Sequence, residues 1–261
     1  MQSLLITPGI EVSGNITSGN SLLFSDIFNL FPDCFQTISP RFKDDYQIVL
    51  YTDSGFLEDV QNRKLRHLTM SCYADDLIAC LEKNGIKNIT YVAHSVNALL
   101  AFIAAYKAPH LFSKIVLISA VPCLLQEAET ECACGFPSLN ADELFKKIMQ
   151  KQTDEHKAAT VQFTDVLATA FAHKTEEEAR AIFQVLFSTD CRNFLNDFPV
   201  PTVILQVTAD KMATTEAGYF MYRSIPSSQL VRIKAKGQMP YLNEPEEIVK
   251  AMKFFTQSAL V

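Results

Sequence analysis

The segment Thr90-Tyr91-Val92-Ala93-His94-Ser95-Val96-Asn97-Ala98-Leu99-Leu100 carries a strand-like apolar run straight into a serine and leaves it as an apolar helical run. A serine hydroxyl is a weak nucleophile unless a neighbouring base takes its proton. A tight strand-to-helix turn can lift such a hydroxyl out of a sheet for acyl-transfer chemistry. It needs small residues two positions to either side of the serine. Those positions are Ala93 and Asn97, so the Gly-x-Ser-x-Gly form is missed at both. Alanine is a mild departure, and asparagine is larger but tolerates unusual backbone angles. The competing reading is an ordinary strand–helix junction with a serine cap. The strand–His–Ser–helix context favours the nucleophile turn.

The elements around this turn alternate. Leu4–Ile6, Ile10–Val12 and Leu22–Phe24 read as strands separated by Pro8-Gly9, Ser13-Gly14 and Ser18-Gly19-Asn20 turns. Gln47–Tyr51 is almost continuously apolar, the pattern of a strand buried on both faces. A helix is expected over Ser71–Lys83, with Gly85 placed for a left-handed cap. Further strands are expected at Ile89–Ala93, Ile115–Ile118, Val203–Val207 and Leu230–Ile233, and helices at Val96–Tyr106 and from Pro245 onward. Strands alternating with helices predict a mostly parallel sheet flanked by helices. Residues 122–200 break the rhythm with helical patterns and no convincing strand: Ala141–Gln150, Val161–Phe171 and a Thr175/Glu178 capping-box pattern ahead of Ile182 and Phe183. We read 1–261 as one α/β domain with 122–200 inserted as a helical lid over the strand ends, where such sheets bind ligands.

Composition narrows the function classes. With 23 Lys+Arg against 29 Asp+Glu, the net charge is −6, which argues against a nucleic-acid surface. No apolar run approaches the ~18–20 residues of a membrane span. The N-terminal residues lack a basic segment and are interrupted by Pro8-Gly9, so no secretory signal is expected. Seven scattered cysteines then point to a reducing compartment, cytoplasm or nucleus. Cys132 and Cys134 lack the paired spacing of a zinc site, so neither a metal nor another cofactor is expected.

The stretch from Tyr73 to Leu125, with Tyr-Ala-Asp-Asp-Leu-Ile, Ala-His-Ser-Val-Asn and Leu-Phe-Ser-Lys-Ile-Val-Leu-Ile, resembles one subgroup of the α/β-hydrolases. That subgroup holds the plant strigolactone and karrikin receptor-hydrolases and the bacterial stress-regulator hydrolase. The similarity resumes at Phe187-Ser188-Thr189-Asp190 and runs through Val200–Gln206 to Asn243-Glu244-Pro245. The resemblance implies the α/β-hydrolase fold with a lid, and a Ser–Asp–His triad. Ser95 matches the nucleophile and Asp210 the acid. At the third position the family has a histidine, whereas this chain reads Gly237-Gln238-Met239-Pro240-Tyr241. The five histidines, His67, His94, His110, His156 and His173, all precede the last expected strand. The Gln238 amide cannot take a proton from serine near neutral pH.

The resemblance also implies an oxyanion hole from the N–H of Val96 and an N–H of a His-Gly-aromatic-Gly loop. Here that loop reads Asp26-Ile27-Phe28-Asn29, with Phe28 at the donor position. A carboxylate near a developing oxyanion opposes it, and isoleucine resists the positive φ open to glycine. His94 is expected to point away from the pocket, and His173 to lie on the surface. Tyr241 and Lys211 are alternative proton carriers only with strongly shifted pKa values. A degenerate hydrolase is the expectation: a lid lined by Phe145, Met149, Phe163, Val166, Phe171, Phe183 and Phe187 enclosing a small apolar molecule. The resemblance adds signalling through a partner protein. The alternatives are a repurposed lyase, isomerase or cyclase, a weak Ser95-dependent esterase, and a ligand-free interaction scaffold.

Overall fold

The central strands form because their residues are apolar on both sides of the pleat. In Ile89–His94 all six residues are buried, as are all six of Ser21–Asp26. Successive residues feed two separate cores: Tyr91, Ala93, Ile115, Leu117 and Ile204 face one, and Val92, Val116, Ile118, Val203 and Leu205 the other. This is the signature of a parallel sheet covered on both faces. The computed structural model describes residues 4–7, 9–28, 30, 34–52, 69–126, 138–139, 142–143, 145–146, 171–210, 213–237 and 239–257.

Among the described residues the main sheet has eight strands: β1 (Leu4–Thr7), β2 (Ile10–Gly14), β3 (Ser21–Asp26), β4 (Gln47–Thr52), β5 (Ile89–His94), β6 (Phe112–Ile118), β9 (Thr202–Ala209) and β10 (Ser228–Lys236). Between β6 and β9 come the two-residue strands β7 (Leu125–Gln126) and β8 (Ser138–Leu139), which pair with each other. The order across the main sheet is β1-β2-β4-β3-β5-β6-β9-β10. From β4 to β10 every neighbouring pair is parallel, and β1 and β2 are joined antiparallel at one edge. This is the α/β-hydrolase fold.

Helix α1 (Met70–Lys83) and helix α2 (Asn97–Lys107) cover the first core. Met70, Tyr73, Ala74, Leu77 and Leu81 of α1 are buried at helical spacing, Thr69 caps its start, and Gly85 ends it at φ 64°. Helix α3 (Glu176–Phe187) starts with the expected capping box, in which Thr175 and Glu178 each satisfy the other's backbone N–H. Helix α4 (Thr215–Ser224), short helix α5 (Pro240–Asn243) and α6 (Pro245–Gln257) complete the chain. Ile248, Val249, Met252 and Phe255 of α6 fill the second core, and Lys114 Nζ donates to Phe255 O at 2.5 Å at its last turn.

One expectation needs correction. Residues 122–200 are not free of strand: β7 pairs β8 in parallel, and Cys123 bridges Asp190 antiparallel. Helix α4 lies in a stretch to which the sequence reading assigns no element; its cap Thr214 has Ala217 three residues on rather than a capping-box glutamate, and Gly218 lowers its helical propensity. The expected helix Ala141–Gln150 is helical at 142–143 and 145–146, and the rest of it lies outside the described residues. Phe171 is helical, while Val161–Ala170 lies outside them, as do Cys132 and Cys134. Among the described residues Cys72 and Cys191 are free thiols, no cluster fit to hold a metal occurs, and no helix is long and apolar enough to cross a membrane.

Candidate functional site

β5 ends at His94, and the chain reverses into α2 at Ser95, whose φ is 52°. A left-handed non-glycine residue costs about 1–2 kcal/mol, so the turn persists only because its surroundings impose it. They do so from the sheet: Ser95 N–H donates to Ile118 O of β6 at 3.0 Å, and Ala98 N–H closes the turn onto Ser95 O at 3.2 Å. The Ser95 side chain is half-buried, and among the described residues its hydroxyl has no hydrogen-bond partner. Val96 follows as the first capping residue of α2. The neighbouring strand ends the same way. Ser119 after β6 has φ 45°, donates its N–H to Leu205 O of β9, and buries a hydroxyl that lacks a partner among the described residues.

Asn97, where the nucleophile turn would carry its second glycine, is put to a use the sequence did not reveal. Its Oδ1 accepts from Ile27 N–H at 3.3 Å, across 70 residues of sequence. Asp26 Oδ1 accepts from Leu30 N–H at 3.2 Å, so the turn after β3 is held at both ends by side-chain oxygens. Asp26 is buried, and Phe28 packs edge-on to Tyr73 in the first core. The loop expected to supply an oxyanion donor is thereby pinned to the first turn of α2, directly after Ser95.

Asp210 follows β9 at the same sheet edge as Ser95, with β6 between their strands. It is buried, and its Oδ1 accepts from Ala213 N–H at 3.0 Å. Gln238 and Lys211 lie outside the described residues. Tyr241, three residues beyond Gln238, is fully buried. Its hydroxyl lies 3.2 Å from His94 Nδ1 and donates to Met239 Sδ at 2.7 Å. Burial first, then the Cys34 thiol and the Asp26 carboxylate, push its ionisation well above the usual tyrosine range. It is a poor proton carrier at neutral pH. His94 is held edge-on against the Tyr241 ring, and His173 is exposed.

Four of the seven apolar residues expected to line the lid are described, and they gather around one ring. Phe183 has Phe145 edge-on at 5.4 Å, Phe171 at 5.4 Å and Phe187 stacked at 5.7 Å. Arg180 adds a cation–π contact over Phe145 at 4.4 Å. Met149, Phe163 and Val166 lie outside the described residues.

No family model matches the chain. It is 25% identical over 231 residues to the Karrikin insensitive 2 receptor CA of Petunia hybrida, covering 82% of this chain and 83% of that one. It is 25% identical over 248 residues to a strigolactone esterase of Pisum sativum, covering 89% and 91%. In three dimensions it is similar to a hydrolase from Oleispira antarctica at a TM-score of 0.78 and 22% identity, covering 96% of this chain and 94% of that one. The chain thus has the α/β-hydrolase fold, with sequence relatives among karrikin receptors and strigolactone esterases and structural relatives among bacterial hydrolases.

Proposed function

We propose that this protein binds a small apolar molecule beneath its 122–200 segment and does not hydrolyse esters by the Ser–Asp–His route. One observation carries the reading: no histidine comes after His173, whereas the strand that should precede the catalytic imidazole ends at Lys236. Losing the proper function of one triad member lowers turnover by about four powers of ten. Further support comes from the Ser95 hydroxyl, which has no partner among the described residues, and from the buried Asp26 carboxylate in the loop that would stabilise an oxyanion. Relatives named for karrikin reception and strigolactone esterase activity favour recognition of a small molecule over a purely structural role. Recruitment of a signalling partner extends this reading by analogy with them.

The test is turnover of p-nitrophenyl acetate by the native protein, Ser95→Ala and Gln238→His. The native protein should match Ser95→Ala, and Gln238→His should gain Ser95-dependent hydrolysis. Fast Ser95-dependent turnover by the native protein would defeat the proposal. An inert Gln238→His would make the Asp26–Asn97 arrangement a second lesion.

A second reading, an interaction scaffold with a closed pocket, is favoured by the mutual packing of Phe145, Phe171, Phe183 and Phe187. It predicts that no small apolar molecule raises the melting temperature, whereas binding predicts a rise that grows with ligand concentration.

A further inference from the structure

Gln206 is a polar side chain in the interior of β9, and only 1% of its surface is exposed. An apolar residue would fill that place without desolvating a carboxamide. Its Nε2 donates to Ala213 O at 2.6 Å and to Val207 O at 3.0 Å, while its Oε1 is buried with no partner among the described residues. The other side of Ala213 faces the site, where its N–H donates to Asp210 Oδ1 at 3.0 Å. Ala213 is therefore gripped through its carbonyl by Gln206 and grips Asp210 through its N–H.

Gly218 makes this possible. It sits in the interior of α4 with an ordinary helical backbone, so conformational freedom is not its reason, and a glycine there costs about 0.5–1 kcal/mol relative to alanine. A Cβ at 218 would overlap Gln206 Oε1 and lie 3.0 Å from Gln206 Cδ. The helix gives up stability to leave the carboxamide room.

We infer that Gln206 is a positioning residue for Asp210, acting through Ala213, and that Gly218 provides the space it needs. The inference goes beyond the proposed function and holds whether or not Ser95 turns over a substrate. The N–H donated by Ala213 favours the charged form of Asp210. Displacing Gln206 should loosen Ala213 and raise the Asp210 titration midpoint.

The experiment is a carbon-detected carboxyl titration of full-length Gln206→Ala, Gly218→Ala and the double variant, with melting temperatures measured alongside. Each single variant should raise the Asp210 midpoint by about 0.5–1 unit and leave Asp190, which is paired with Arg192, unmoved. The double variant should titrate like Gln206→Ala, because the 218 methyl then has no carboxamide to displace. Melting temperatures that fall while the Asp210 midpoint stays fixed would reduce Gln206 to packing and overturn the inference. Additive shifts in the double variant would overturn the role of Gly218. Gly218→Ala keeps every polar group of the chain, so it decides the question even if Gln206→Ala fails to fold.

Discussion

After β5 the chain turns at Ser95 with a left-handed backbone and a half-buried hydroxyl that has no partner among the described residues. After β10 it turns at Gly237, φ 76°, and then buries Tyr241 completely, its hydroxyl bound to His94 and Met239. Both turns lie at the C-terminal edge of one parallel sheet. The first combines a strained backbone with a half-buried polar side chain. The second directs its nearest described polar side chain into the core. The backbone at Ser95 is tied to the sheet by its hydrogen bond to Ile118 O. The left-handed turn at Ser95 is therefore set by the fold, whatever chemistry the site performs.

Removing the packed side of this contrast should have the largest effect. Tyr241→Ala deletes a fully buried ring that packs against His94 and Phe35, and should lower the unfolding free energy by about 3–5 kcal/mol in chemical denaturation. A loss below about 1 kcal/mol, the range of a substitution away from the core, would mean that the turn after β10 is not a core element. On the other side, Asn97→Ala leaves the buried Ile27 N–H without its acceptor and should lose about 1–3 kcal/mol. Asn97→Asp keeps an acceptor oxygen at the start of α2 and should recover part of that loss. Equal stability of the two variants would show that the Ile27 contact does not hold the loop.

The sheet was legible because its central strands are apolar on both faces and its helices carry signals at readable positions, as at Gly85, Thr175 and Pro245. Ser95 was legible from its strand–serine–helix context. Asn97 registered only as a departure from glycine, since its bond to Ile27 spans 70 residues and leaves no local pattern. Gln206 was hidden for a related reason. It stands in a run of strand formers, and its partner Ala213 has an ordinary side chain, so the interaction involves only a backbone carbonyl. Ser119 resembles any other serine at a strand end until its φ of 45° is known.

A subtler change to the packed turn separates ring from hydroxyl. Tyr241→Phe keeps the ring and removes the partner of His94 Nδ1, for a loss of about 0.5–1.5 kcal/mol at neutral pH. Burial raises the Tyr241 ionisation in the folded state, so the folded protein holds this proton more tightly than the unfolded chain. The associated stability is complete below the ordinary tyrosine range and is lost as the pH rises through and beyond it. Tyr91 shifts in the same direction, again mainly through burial. Tyr241→Phe should therefore lose less stability than the native protein between neutral and strongly alkaline pH. Parallel curves for the two proteins would place the alkaline sensitivity elsewhere.

The smallest expected effect has the opposite sign. Ser95→Gly relieves a left-handed backbone that costs about 1–2 kcal/mol. Against this, it adds about 0.4–1 kcal/mol of unfolded-chain entropy. The hydroxyl it removes has no partner among the described residues, so no hydrogen bond with them is lost. The balance is a gain of roughly 0–1.6 kcal/mol, visible as a slightly higher denaturation midpoint with an unchanged slope. Ser119→Gly should gain at least as much, because it relieves the same kind of strain and also removes a buried hydroxyl without a partner among the described residues. If Ser95→Gly instead lowers stability, the Ser95 hydroxyl is a structural group rather than a presented one, and the contrast between the two turns fails at its first member.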